Sequence, residues 1–486
     1  MRAYRVLLFF IVFFCLATAA IAEIKLPAVV GDNMVLQAGE PVPIWGWVEP
    51  ETEVHVVFDG KTYKTTADQE GRFQVDLEPS EADSEPSNLV IETTAGDRTE
   101  LKNILVGDVW VCSGQSNMEW PVTRATDAEA EIAAANHPEI RIFKVERAVA
   151  DTPKTDCKGS WVVCSPETIG DKTAVGYFFA RALNQELKKP IGLLQTSWGG
   201  TPAEAWTSRE ALEAEPSLKP LLDRWDKAAE TPKQAESPHR PANLYNAMIA
   251  PLLPYAVKGA IWYQGESNVG RAVQYRTIFP TMIENWCAAW NKPRLPFGFV
   301  QIAPYKYNRN NPNPGRDVER CAELWEAQVM TLQKLDNVGM AVTTDIADLL
   351  DIHPTNKQDV GHRLALWARA KVYGDDALVY SGPIYKSMQK EGNKIRLSFD
   401  HAAGLKASDG KDLNEFTIAG ADENFVPAKA TIDGETIVVE GADVADPVAV
   451  RFGWHELAQP NLVNSAGLPA SPFRTDDFKA LTEGAN

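Results

Sequence analysis

Asp108-Val109-Trp110-Val111-Cys112, followed at once by Ser113-Gly114-Gln115-Ser116-Asn117-Met118, is the stretch on which the fold turns. An apolar run without polar alternation is what a strand covered on both faces looks like, as in a parallel sheet. A polar, glycine-bearing segment directly after it reads as a loop at the carboxyl end of that strand, where α/β sheets hold their ligands. The pattern recurs twice. Ile191-Gly192-Leu193-Leu194-Gln195 runs into Thr196-Ser197-Trp198-Gly199-Gly200-Thr201, and Gly259-Ala260-Ile261-Trp262-Tyr263 runs into Gln264-Gly265-Glu266-Ser267-Asn268. Helical stretches at residues 175–188 and 360–370 lie between and after these runs. Strands alternating with helices predict an α/β domain over residues 107–374, in which residues 205–245, rich in Glu, Lys and Pro, form an excursion.

Outward from this centre the pattern becomes β on both sides. Residues 23–106 hold short apolar and β-branched runs, such as Glu53-Val54-His55-Val56-Val57-Phe58 and the alternating Arg72-Phe73-Gln74-Val75-Asp76-Leu77, with turns at Asp59-Gly60 and Glu70-Gly71. They predict a β-sandwich-like N-terminal domain. Pro43 assigns its run, residues 42–48, to an edge or to a strand start. Residues 375–486 return to strands, among them Lys394-Ile395-Arg396-Leu397-Ser398-Phe399 and Thr436-Ile437-Val438-Val439-Glu440, and predict a β-rich C-terminal domain.

Residues 1–22 read as a signal peptide. Arg2 and Arg5 precede an apolar run, and Ala20-Ile21-Ala22 offers small residues for cleavage after Ala22. The expectation is a mature protein that is secreted or periplasmic and free of the membrane. Net charge is -18 and becomes -20 without Arg2 and Arg5, which argues against nucleic acid as a partner. Five cysteines would remain, too few for a disulfide scaffold, although Cys157 and Cys164 are close enough in sequence to pair. No Cys/His spacing suggests a metal, so no cofactor is expected.

Each polar segment is ambiguous alone. Ser116 sits where a nucleophile could project from a loop, yet a serine there is equally a turn or helix N-cap residue. The segment lacks the G-x-S-x-G pattern, because Met118 stands in place of the second Gly. Gly199-Gly200 permits close backbone approach or merely a turn. A fourth segment, Asp351-Ile352-His353-Pro354, supplies what a serine nucleophile needs: a histidine base and a nearby carboxylate to orient it. His362, in the helix that follows, is the rival base.

Taken in order, Gly114-Gln115-Ser116-Asn117-Met118, Trp198-Gly199-Gly200-Thr201, Gln264-Gly265-Glu266-Ser267-Asn268 and Asp351-Ile352-His353-Pro354 resemble the four blocks of SGNH-type hydrolases, and within them the sialate O-acetylesterase family and related carbohydrate acetylesterases. Gly107-Asp108-Val109-Trp110, Asp32-Asn33-Met34-Val35-Leu36-Gln37 and the closing residues 467–475 extend the likeness over nearly the whole mature chain. The resemblance implies a flavodoxin-like three-layer α/β/α domain and metal-free removal of O-acetyl groups from a carbohydrate. It implies Ser116 as nucleophile, His353 as base and Asp351 as its partner, two residues before the histidine where many such enzymes have three. The N–H groups of Ser116 and Gly200 and a side-chain amide from Gln264 or Asn268 would form the oxyanion hole, with Gly199 replacing Gly200 if the loop is shifted. Gln115, Asn117 and Glu266 would bind substrate. Acetylated sialic acid and acetylated plant or algal polysaccharide, such as xylan or xyloglucan, are alternative substrates. A carbohydrate-binding protein without catalysis is the alternative of another class.

Overall fold

The computed structural model of the protein describes residues 23–486, so the expected leader, residues 1–22, lies outside the described residues. Asp108–Cys112 lies in the second half of one strand, Arg98–Gly114. Its first half pairs antiparallel with Asp83–Thr93, and Val35–Gln37 joins it in parallel. Its second half pairs in parallel with Ile191–Ser197 on one side and Gly259–Tyr263 on the other. Burial changes along it, from mixed at the start to unbroken from Ile104 to Gly114. The residue pair 106/107, where a domain boundary was expected, therefore lies inside a continuous strand. Gly107 lets it pass, since a Cβ there would stand 2.1 Å from the carbonyl oxygen of Pro190.

Through this strand runs an 11-stranded sheet. The main path is Val338–Ala341, Phe297–Val300, Gly259–Tyr263, Arg98–Gly114, Ile191–Ser197, His137–Lys144 and Trp161–Cys164. All neighbours on this path are parallel except the last pair. After Ile191–Ser197 the chain crosses to the other side of the central strand, so the carboxyl ends of three adjacent strands meet at a topological switch point.

Strand alternation sends successive residues to opposite faces. Phe297 and Phe299 meet Phe279 and Trp286 of the helix Ala272–Ala289. Gly298 points the other way, toward Trp367 of the helix Lys357–Lys371, whose ring so crowds Gly298 and Gly339 that a Cβ at either would lie within 2.6 Å of it. The expected helices at 175–188 and 360–370 are Ala174–Leu187 and Lys357–Lys371. The second starts three residues early because Asn356 caps it, accepting the Asp359 N–H at 3.1 Å. The 205–245 region is built of short helices, including Arg209–Glu213 and Lys219–Ala228.

Before the central strand, Val42–Trp47 pairs with Arg72–Leu77 in a two-stranded ribbon, with Trp47 also bridged to Lys25, and Pro43 sits where its missing N–H is tolerated. After the helix Lys357–Lys371, antiparallel strands form two four-stranded sheets around a separate core of Ile395, Leu397, Phe416, Ile418, Ile437, Val439 and Phe452. Cys157 and Cys164 are free thiols rather than a bridge: Cys164 ends a strand with its sulfur turned to the Ala135 carbonyl, 3.6 Å away. No helix among the described residues is long and apolar enough to cross a membrane.

Candidate active site

Gly114 ends the central strand at φ +138°, and a Cβ there would lie 2.2 Å from the Tyr263 carbonyl oxygen. Only glycine lets the two strand ends come so close. The loop is then pinned from both sides: Gln115 N–H donates to Tyr263 O at 3.0 Å, and Trp198 N–H donates to Gly114 O at 3.1 Å. Ser116 begins the short helix Ser116–Glu119 and keeps part of its surface exposed.

The loop bearing His353 arrives from much later in the chain. Nε2 of His353 lies 2.9 Å from Ser116 Oγ. Oδ1 of Asp351 accepts the backbone N–H of His353 at 2.9 Å and stands 3.2 Å from its Nδ1. Asp351 remains 57% exposed on its side chain, so water competes for this carboxylate. Burial holds the imidazole pKa below its ordinary value despite the opposing Asp351 charge, with Lys357 and Arg124 adding to the depression. A neutral imidazole bonded to a hydroxyl can accept its proton. His362 is exposed on the helix that follows, away from this contact.

Three donors were expected to face an oxyanion. The backbone N–H groups of Ser116 and Gly200 have no protein acceptor among the described residues, whereas Gly199 N–H is spent on Glu119 Oε2 at 2.9 Å. Glu119 is itself held by Arg147, Nε to Oε1 at 2.9 Å. Gln264 and Asn268 are both fully buried. Gln264 Nε2 donates to Asn268 Oδ1 at 2.7 Å and to Thr201 O at 3.3 Å, so both amide hydrogens have acceptors. Asn268 Nδ2 donates to Glu204 Oε2 at 3.0 Å, which leaves its second hydrogen available. Glu204 is buried and paired with Arg271 at 2.7 Å.

The residues expected to touch substrate are turned inward. Gln115 is buried, its Oε1 accepting the Ser267 N–H at 3.3 Å. Asn117 Nδ2 donates to Glu266 Oε1 at 2.6 Å and to Ile352 O at 3.0 Å. Burial raises the Glu266 carboxyl pKa, and its Oε2 is enclosed without a partner.

Sequence reasoning missed Trp120, whose ring stacks on His353, and Lys357, whose Nζ donates to Asn117 Oδ1 at 2.6 Å. It also missed the Glu119–Arg147 and Glu204–Arg271 pairs. The one signal was position: Trp120 and Lys357 each stand four residues past a catalytic candidate. Among the described residues, no group of three His, Cys, Asp or Glu is arranged to hold a metal.

The profile of the family described as carbohydrate esterase, sialic acid-specific acetylesterase, matches residues 106–368. The chain belongs to that family. It is 29% identical to mouse (Mus musculus) sialate O-acetylesterase, over 91% of this chain and 92% of the relative. The rat (Rattus norvegicus) counterpart is 31% identical, over 77% of this chain and 78% of its own. Among solved structures, a carbohydrate acetylesterase from Xanthomonas citri superposes with TM-score 0.85 at 41% identity, covering 94% of this chain and 100% of that one. The protein is thus a carboxylic ester hydrolase of the sialic acid-specific acetylesterase family, and its mixed α/β architecture with a large sheet is that of a carbohydrate acetylesterase. The four blocks quoted from the sequence all lie within the matched residues.

Proposed function

We propose that this esterase removes O-acetyl groups from carbohydrate by acyl transfer through Ser116. His353 takes the serine proton as Oγ attacks the acetyl carbonyl. The tetrahedral oxyanion is received by the N–H groups of Ser116 and Gly200 and by the free amide hydrogen of Asn268. The imidazolium then returns the proton to the leaving sugar oxygen. Water, activated by the same imidazole, releases acetate. Asp351 orients the ring and favours its charged form. The observation that carries the reading is the 2.9 Å contact between Ser116 Oγ and His353 Nε2 beside two unpaired backbone donors. No step calls for a metal or cofactor. The catalytic part, residues 107–374, would be the SGNH three-layer α/β/α arrangement, flanked by β domains over 23–106 and 375–486, and residues 1–22 a cleaved signal for export.

Within acetylated carbohydrates, an acidic sugar such as sialate is favoured by Arg124. Its guanidinium lies 5.5 Å over the Trp120 ring, is exposed, and has no carboxylate within 4.0 Å among the described residues. A neutral polysaccharide is the second reading. It is supported by the 41% identity to an enzyme described only as a carbohydrate acetylesterase. Acetate release from O-acetyl sialic acid, acetyl-xylan and acetyl-xyloglucan, measured with wild type, Ser116→Ala and Arg124→Gln, tests both. Ser116→Ala should lose activity by on the order of 10^6 in kcat. A variant with more than a few per cent of wild-type activity would refute Ser116. Arg124→Gln should raise KM on sialate alone; an equal effect on acetyl-xylan would favour the neutral substrate.

A further inference from the structure

Lys357 opens the helix Lys357–Lys371 and is fully buried. A buried ammonium is costly unless paired, and a methionine of similar length would fill the space without that cost. Yet among the described residues no carboxylate lies within 4.0 Å of its Nζ. The charge instead has one hydrogen-bond acceptor, Asn117 Oδ1 at 2.6 Å, and two aromatic faces, Tyr263 at 5.1 Å and Trp120 at 5.8 Å. Facing the ammonium with its oxygen, Asn117 must present both amide hydrogens to the other side. There they meet Glu266 Oε1 and Ile352 O. Asn117 directly follows Ser116, and Ile352 directly precedes His353. One amide therefore joins the nucleophile loop to the base loop, and the lysine decides which way that amide points.

We propose that Lys357 is a positioning residue: through Asn117 it holds the Ile352 carbonyl, and so the ring of His353, in register with Ser116. This rests on the Ser116–His353 reading above. The groups facing the ammonium are Glu266 and Tyr263 from the end of one strand, Asn117 and Trp120 from the nucleophile loop, and Asp351 and His353 from its own loop. Burial brings its pKa down to about 7 against the pull of Glu266 and Asp351, and its charge in turn depresses that of His353.

The test uses the full chain, p-nitrophenyl acetate and a radiolabelled fluorophosphonate. Lys357→Met should lower kcat by about 100-fold through misregistered reacting groups, with KM little changed. Its acid limb of kcat/KM should move to higher pH, because a cation beside His353 is gone. Lys357→Gln, which can still donate to Asn117, should recover about tenfold in kcat or more while keeping the shifted limb. A folded Lys357→Met enzyme with wild-type kcat and an unmoved limb would overturn the proposal. If neither lysine variant folds, Asn117→Ala carries the test, since it cuts the same link; full kcat there overturns the proposal as well. Labelling separates this from the underlying reading. Wild type that takes no label on the Ser116 peptide refutes the nucleophile; wild type labelled there, with Lys357→Met labelled as fast, refutes only the role of Lys357.

Discussion

Trp120 lies flat on His353, their ring centroids 4.7 Å apart and their planes inclined by 16°. The indole is fixed in turn by its own N–H, which donates to Arg124 O at 2.9 Å. An aromatic face favours a cation over a neutral ring, so with His353 as the proposed base this stack would stabilise the imidazolium more than the imidazole that precedes it. It also blocks ring rotation that would break the contact with Ser116.

Removing the plate should therefore cost rate rather than fold. Trp120→Ala should lower kcat by about tenfold, equivalent to about 1.4 kcal/mol of transition-state stabilisation. Trp120→Phe should retain most of the wild-type rate, because a face remains. Steady-state kinetics at fixed pH, with melting temperature as a control, check this; an unchanged kcat in the alanine variant would show the stack to be incidental.

The acid limb of the pH profile follows from burial of the same ring. His353 is pushed below the ordinary histidine pKa of about 6.5, and as the proposed base it would have to be neutral in the free enzyme. kcat/KM should therefore rise with pH through a midpoint below that value and be flat above it. Asp351→Asn should shift the midpoint lower still, because the Asp351 charge opposes the depression. Its effect on kcat should be only about tenfold, far short of the roughly 10^4 cost in a buried serine-protease triad. The reason is exposure, together with a single oxygen serving both His353 N–H groups, which an asparagine carbonyl can still do. A loss near 10^4 would mean that the carboxylate is shielded when substrate is bound.

Gly114→Ala is expected to act on the fold. Its new Cβ would stand 2.2 Å from a backbone oxygen of the neighbouring strand, with φ at +138° already unfavourable for an L side chain. Neither the oxygen nor the strand end can move aside without breaking the Gln115 to Tyr263 hydrogen bond. A destabilisation of about 3 kcal/mol or more, or failure to express as soluble protein, is expected. A melting curve matching wild type would show that the strand ends can separate.

The features readable from sequence were those encoded locally. Unbroken apolar runs at Val109 to Cys112 and Gly259 to Tyr263 reported strands buried on both faces, and the polar segments after them marked their carboxyl ends. The Ser116–His353 contact spans 237 positions and was suggested by residue type and block order, not by any local pattern. What escaped was long-range or terminal. Lys357 fell before the expected helix because an Asn356 cap extends it, and a lysine at a helix start ordinarily points to solvent. Glu204 lies just before the 205–245 excursion and carries no local signal; only the fold brings Arg271 and Asn268 to it. The continuity of Arg98–Gly114 through residue 107 was hidden because the change from β to α/β patterning falls there, whereas Gly107 permits close packing on Pro190.

That closure around Glu204 makes Asn268 the side-chain donor in the mechanism proposed above, rather than Gln264. Gln264 spends one amide hydrogen on Asn268 Oδ1 and the other on Thr201 O, and its oxygen takes the Tyr275 hydroxyl at 3.0 Å. It is a strut. Asn268 has its oxygen occupied by Gln264 and by the Ala203 N–H, and one amide hydrogen fixed on Glu204, so its second amide hydrogen is oriented yet unspent. A donor held this way needs no reorganisation when negative charge develops on the acetyl oxygen. Asn268→Ala should therefore cut kcat by roughly 10^2–10^3 with little change in melting temperature. Gln264→Ala should instead destabilise by about 1–3 kcal/mol, the cost of leaving buried partners unpaired. Arg271→Leu should produce both effects, since a buried Glu204 without its cation costs about 3–5 kcal/mol and frees Asn268 to turn. Kinetics and thermal denaturation on the same three preparations decide the matter: a large kcat loss confined to Gln264→Ala, at unchanged stability, would reverse the two roles.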